Sequence, residues 1–335
     1  MRILTRIVIL LISFSVCGQE VSEINLNETL SKNLEKNTIE IIDETYLYIN
    51  DGNSNDLFYY SLKPKDKIKG TLILLPPTAQ KVEDVINNNI KLSEQAFEKG
   101  ILLIVPSINY NLYLDEITMH FLNTTFKNAI SKYQAPKDKI IIGGFSLGGM
   151  NALRYVELSK ENPDLTSIQP VAVYGIDPPL DWARIYYSFQ RAKELNFSEV
   201  AVKEAQDYLA KLEKQFGGSP KEVPNIYAKH SMYSKNKKGG GNAKFLIETP
   251  IRIYSDPDIE WHLNERQTDF YDINALDQTA MINELRISGN EKAEFINALG
   301  KGYRLNGTRH PHSWSIAEPI ELMDWIIEKI NKNGG

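Results

Sequence analysis

A single cysteine, Cys17, stands among the 335 residues, and it falls in a segment that reads as removed from the mature chain. A mature chain without cysteine has no disulfide, no zinc-thiolate site and no cysteine nucleophile. An excess of one charge is also missing, since 38 Lys and Arg stand against 43 Asp and Glu for a net charge of −5. Mild, scattered acidity argues against nucleic acid or an anionic membrane as a partner. Long apolar runs are absent too. The run Ile7–Ile12, continued weakly by Ser13-Phe14-Ser15-Val16, is well short of the ~20 residues of a spanning helix, so no transmembrane anchor is expected. Arg2 and Arg6 before it and small residues after it describe a secretory signal peptide over residues 1–18, which sends the protein to a secreted or periplasmic location. A competing reading makes Cys17 the lipidated first residue of a lipoprotein. Val16 argues against it, because that position wants Gly, Ala or Ser.

What the sequence does have is the stretch Ile140-Ile141-Ile142-Gly143-Gly144-Phe145-Ser146-Leu147-Gly148-Gly149. An apolar run ends in Gly-x-Ser-x-Gly, and Met150-Asn151-Ala152-Leu153-Arg154-Tyr155 follows at helix-compatible composition. A serine at such a strand-to-helix bend projects its hydroxyl over the C-terminal edge of a sheet, and the flanking glycines leave room for the bend.

Around this point the chain has a regular order. Residues 19–43 are polar and expected to wrap the surface. Glu44–Ile49 and Leu57–Leu62 read as a hairpin across turn formers at 50–55. Short apolar strands then alternate with amphipathic helices: strands at Thr71–Leu75, Ile101–Val105, Ile140–Ile142, Pro170–Tyr174 and Pro250–Tyr254, and helices at 114–132, 148–159 and 317–331. Strands apolar on both faces and alternating with helices imply a parallel sheet covered on both sides. Between Asp177 and Thr249 the alternation breaks, with two helices at 181–194 and 198–216 and no strand. Helical material is expected around 264–299, and a weak last strand near Tyr303-Arg304-Leu305.

The hairpin, the alternating units, the serine elbow and the helical insertion together resemble the α/β-hydrolase superfamily over roughly residues 44–332. The resemblance implies an α/β fold, a mostly parallel sheet of about eight strands with helices on both faces. It divides the chain into a core of 44–179 and 249–335 and an inserted helical cap over 180–248. It also implies a Ser, acid, His order for a catalytic triad. Ser146 would be the nucleophile. The implied acid position a few residues beyond the strand Ile251–Tyr254 favours Asp258, with Asp256 and, after the preceding strand, Asp177 as alternatives. The implied base lies in Arg309-His310-Pro311-His312-Ser313-Trp314, with His312 preferred because it leads into the last helix, and His310 the alternative. His310-x-His312 as a metal pair lacks further ligands at suitable spacing, so neither a metal nor another cofactor is expected. His120 and His230 read as helix or loop residues, and His262 as structural or pocket-lining. Oxyanion donors would be the N–H of Leu147 and, because Pro76 and Pro77 have none, that of Thr78.

The function so implied is a serine hydrolase, in the first place a carboxylic-ester hydrolase working through an acyl-enzyme on a small-molecule or polymer-derived ester. A serine peptidase of the same fold is the second reading, and a non-catalytic binding protein on that fold the third. Nothing in the sequence fixes an oligomeric state.

Overall fold

A computed structural model of the chain describes residues 23–40, 47–49 and 57–332. The expected signal peptide at 1–18, with the cysteine near its end, lies outside them, as does half of the expected strand Glu44–Ile49. Leu47–Ile49 is not strand.

Among the described residues the sheet has eight strands: β1 (Leu34–Thr38), β2 (Phe58–Leu62), β3 (Gly70–Leu75), β4 (Ile101–Pro106), β5 (Ile140–Phe145), β6 (Ala172–Ile176), β7 (Ile251–Ser255) and β8 (Ala293–Asn297). Their spatial order is β1-β2-β4-β3-β5-β6-β7-β8. The pairings β1–β2 and β2–β4 are antiparallel, and the other five are parallel. Strands β3 to β7 bury every residue, including Arg252 and Ser255 of β7, as expected in the middle of a sheet covered on both faces.

The helices are α1 (Glu28–Asn33), α2 (Val82–Asn88), α3 (Ile90–Lys99), α4 (Glu116–Tyr133), α5 (Leu147–Glu161), α6 (Trp182–Leu195), α7 (Glu199–Phe216), α8 (Pro224–His230), α9 (Ile259–Trp261, continued by a π-helical turn over His262–Arg266), α10 (Ala275–Ile287) and α11 (Pro319–Lys332). Helices α3 and α11 pack together on one side of the sheet. On the other side α4 meets α5, where Phe126 and Tyr155 touch edge to face with centroids 5.4 Å apart. Three of the long helices have a local reason to begin where they do: Asp115, Asp181 and Ser198 cap α4, α6 and α7 with a side-chain oxygen on a first-turn N–H.

Three expectations are corrected. The hairpin partner of β2 is β1, from the polar segment expected to wrap the surface, and not a strand at 44–49. Its sequence Leu-Glu-Lys-Asn-Thr is polar because β1 is an edge, with one face toward solvent. The last strand is Ala293–Asn297, within a region expected to be helical, and it pairs parallel with β7. At Tyr303 there is only an isolated bridge to Arg309. No helix among the described residues is long and apolar enough to cross a membrane.

Candidate active site

Strand β5 ends at Phe145 and α5 begins at Leu147, so the whole reversal falls on Ser146. Its φ is 53° and ψ −124°, a conformation that side chains avoid unless their surroundings enforce it. The enforcement is visible. The Ser146 N–H donates to Ile176 O at 2.8 Å, and the end of β3 presses against the start of α5. A Cβ on Gly144 would lie 2.5 Å from Leu75 O, and one on Gly148 would collide with the same carbonyl. The glycines on either side of the serine are therefore set by the approach of β3, and the hydroxyl is left above the sheet edge.

A histidine from a distant loop meets that hydroxyl, and an aspartate from another loop meets the histidine. Ser146 Oγ lies 2.9 Å from His312 Nε2, and His312 Nδ1 lies 2.6 Å from Asp177 Oδ2. The carboxylate fixes the tautomer: Nδ1–H donates to Asp177, which leaves the Nε2 lone pair to accept from the serine. The imidazole packs on Phe145, with ring centroids 4.4 Å apart. Asp177 follows directly on β6, with φ 43°. Its N–H donates to Tyr254 O at 2.8 Å. Its second oxygen, Oδ1, accepts from Gln278 Nε2 at 2.9 Å and from Ser255 Oγ at 3.2 Å, and its carbonyl accepts from Asn274 Nδ2 at 3.1 Å. Burial works to raise the Asp177 carboxyl, but the hydrogen bond and charge of His312, aided by Gln278 and Ser255, outweigh it and hold the group below the ordinary carboxylate range.

The other sequence candidates stand elsewhere. Asp258, the favoured acid, is not beside His312. Its Oδ1 caps α9 on the Trp261 N–H at 3.0 Å, and its Oδ2 accepts from Arg309 at 2.6 Å. Asp256 is buried against the same arginine, at 2.8 Å, and accepts from the N–H groups of Gly300 and Gly302. Both aspartates are thus matched to one guanidinium, and the acid at the histidine is the third alternative, Asp177. His310 is also displaced from the serine. Its Nδ1 donates to His312 O at 2.9 Å, and its Nε2 accepts from Arg266 at 3.3 Å. The two histidines face different partners, and among the described residues no group of three or more His, Cys, Asp or Glu side chains is placed to hold a metal ion. His262 lines the cleft, with Nδ1 3.3 Å from Thr268 Oγ1.

Leu147 and Thr78 both border the space above Ser146. Leu147 is the first residue of α5, so its N–H has no intrahelical acceptor. In the loop after β3 the Ala79 N–H is engaged with Asn109 O at 2.9 Å, and Pro76 and Pro77 have no N–H, which leaves that of Thr78. The loop is pinned by Trp314 Nε1 donating to Gln80 Oε1 at 2.9 Å.

The space above the serine is a cleft of about 220 Å³. Its far wall comes from α6 and α7, where Phe189 and Tyr208 stack at 5.0 Å and 15° and face the cleft. Trp182 and Tyr186 are buried, with Trp182 edge-on to Phe216 and the Tyr186 hydroxyl donating to Glu213 at 2.6 Å. Tyr187 is half exposed. Sequence reasoning passed over Gln278, Ser255, Asn274, Arg309 and Arg266. Gln278 is a helical glutamine 101 residues from the acid it holds, and no local pattern marks it. Arg309 does stand beside the histidine loop, where a cation next to two candidate acids is a usable signal.

No family model and no curated protein matches the sequence. Solved structures share its chain path. Esterase 2 of Thermogutta terrifontis, solved phosphoramylated by tabun, superposes with a TM-score of 0.53 at 13% identity over 89% of this chain and 95% of that one. Esterase B from Lactobacillus rhamnosis does so with a TM-score of 0.50 at 13% identity, over 90% and 88%. The acylaminoacyl peptidase of Pyrococcus horikoshii gives 0.52 at 14% identity over 89% of this chain, which spans 42% of that longer one. With a mostly parallel eight-stranded sheet, a serine at the turn after β5 and these structures as its likenesses, the chain has the α/β-hydrolase fold.

Proposed function

We propose that this protein is a serine hydrolase that cleaves a carboxylic ester through an acyl-enzyme on Ser146. The observation that carries the reading is the continuous hydrogen-bonded path from Ser146 Oγ through both nitrogens of His312 to Asp177, 2.9 and 2.6 Å in its two steps. A serine hydroxyl is a weak nucleophile until a base is within hydrogen-bond reach and a third group orients that base. Here His312 Nε2 takes the Ser146 proton as Oγ attacks the ester carbonyl, and Asp177 stabilises the imidazolium that forms. The same proton then goes to the departing alkoxide. Water, deprotonated by His312, releases the acid and restores the serine. The negative oxygen of each tetrahedral intermediate would lie between the N–H groups of Leu147 and Thr78, at the positive end of α5, where one such donor is typically worth about 3 kcal/mol.

Helices α6 and α7 over the cleft support reading 180–248 as a cap, and the segment 1–18 supports a secreted or periplasmic location. The likeness to an acylaminoacyl peptidase supports a second reading, a serine peptidase, in which His312 protonates a departing amine instead. Labelling the purified protein with a fluorophosphonate, followed by peptide mass spectrometry, tests the proposal. One adduct on Ser146, absent from Ser146→Ala, is expected. A folded protein that takes no adduct favours the third reading, a binding protein.

A further inference from the structure

Most charged groups around the cleft are already matched at close range. Arg184 meets Asp277 at 2.6 Å, Asp256 meets Arg309 at 2.8 Å, Asp272 meets Arg191 at 3.1 Å, and Asp177 meets His312. Arg266 is different. It closes the π-helical turn after α9 and lines the cleft with Ser146. Among the described residues its polar contacts are two long ones, Nη1 to Glu204 at 3.4 Å and Nη2 to His310 Nε2 at 3.3 Å. The Glu204 side chain is 49% exposed while that of Arg266 is 22% exposed, and a single long contact to a solvated carboxylate neutralises little. His310 neutralises none. Its Nδ1–H is used on His312 O, so its Nε2 can only accept, and burial together with Arg304 and His312 pushes the imidazole down to about 3. A guanidinium offers five donors in a planar fork, and these contacts use two of them.

The placement of the guanidinium is well supported from below. Its carbon stands 5.8 Å from the Trp261 ring centre, and Trp261 meets His310 edge to face at 4.8 Å. Trp261 is in turn held by the Asp258 cap on α9, and Asp258 by Arg309. The aspartates that the sequence suggested as acids therefore build the wall that carries Arg266. His310 spans the gap from Arg266 to the backbone of His312, so the guanidinium sits one imidazole away from the loop of the base.

We infer that Arg266 receives a carboxylate of the substrate, so that the ester cleaved at Ser146 carries a second, free carboxylate. This deepens the serine-hydrolase reading and rests on it. A carboxylate entering the cleft can bond the fork with two parallel N–H···O contacts, shorter and stronger than the one long contact Glu204 makes. Glu204, on the exposed side of α7, swings to solvent as it enters. The carboxylate can belong to the acyl part or to the alcohol part of the ester.

Binding measured without turnover separates this inference from the reading beneath it. In the Ser146→Ala protein, calorimetry would compare monomethyl adipate with dimethyl adipate for the acyl side, and 4-acetoxybenzoate with its methyl ester for the alcohol side. For one pair the anion should bind about tenfold more tightly than its neutral partner. That preference should vanish in Ser146→Ala/Arg266→Gln and grow in Ser146→Ala/Glu204→Gln, and the pair that responds identifies the side. Equal affinity within both pairs, a preference that survives Arg266→Gln, or one that Glu204→Gln reduces would overturn the inference. Failure of the serine chemistry would appear separately, as absence of the fluorophosphonate adduct on Ser146 in the parent protein.

Discussion

Arg309 Nη2 lies 2.6 Å from Asp258 Oδ2, and through that contact the aspartate best placed in the sequence is committed to the wall of the cleft. Asp177→Asn and Asp258→Ala should therefore behave in opposite ways. The first leaves His312 in the wrong tautomer and should lower kcat about ten-thousand-fold with little change in melting temperature. The second removes the cap of α9 and should cost about 1 kcal/mol of stability while kcat on a neutral ester falls only severalfold. Ester kinetics and thermal melts on the two variants decide. The reverse pattern would return the acid to Asp258.

Gln278 should act on rate through Asp177. Its amide is fully buried and donates to both Asp177 Oδ1 and Pro178 O. Gln278→Glu keeps the shape but replaces the donor with an acid facing a carboxylate, which works against ionised Asp177. We expect kcat to fall more in Gln278→Glu than in Gln278→Ala, with KM held within about twofold in both. Equal losses in the two would mean that packing alone is at stake.

The elbow should tolerate no added methyl. In Gly148→Ala the new Cβ meets the carbonyl of Leu75, backbone that cannot rotate away. A loss of about 3 kcal/mol is expected, near the upper end of overpacking costs. Denaturant unfolding of the variant measures it, and a loss below 1 kcal/mol would show that β3 can retreat.

Two buried histidines should weaken the fold as pH drops below neutrality, against Glu157 and Asp181, whose carboxyls burial pushes up to about 8 and about 6 so that acid favours their folded state. His310 and His230 are held neutral mainly by burial, at about 3 and about 4 against an ordinary 6.5. Between those values and 6.5 the unfolded chain binds protons at these two positions that the folded chain refuses, so their contribution to stability falls as pH drops through that window. Asp177 adds a loss only below the ordinary carboxylate range, because its folded value is depressed. On going from pH 7 to pH 4 the melting temperature should therefore fall less, or rise more, in His310→Gln and in His230→Gln than in the parent. Variant profiles that run parallel to that of the parent would contradict this.

The core of the fold was legible because β3, β4 and β5 are unbroken apolar runs between turn formers, and the elbow because its glycines are demanded by neighbouring backbone. Elements whose residues answer to partners far along the chain were not legible. Strand β1 is polar and finds its place only by pairing with β2, and Ala-Glu-Phe-Ile-Asn of β8 is short and half polar. The carboxylate partner of His312 was misplaced for the same reason. Asp256 and Asp258 look free in the sequence, and only the folded chain brings Arg309 onto both. Asp177-Pro178-Pro179 follows β6 directly, a signal read but ranked third.

Serine and base are 166 residues apart, and the acid stands 135 residues before the base. A chain made from its N-terminus thus carries Ser146 long before His312 exists. Until the final loop has been synthesised and has closed against β6, that serine is an ordinary alcohol. On the proposed chemistry a chain that stops short of His312 is chemically silent, and reactivity arrives only when that loop is in place.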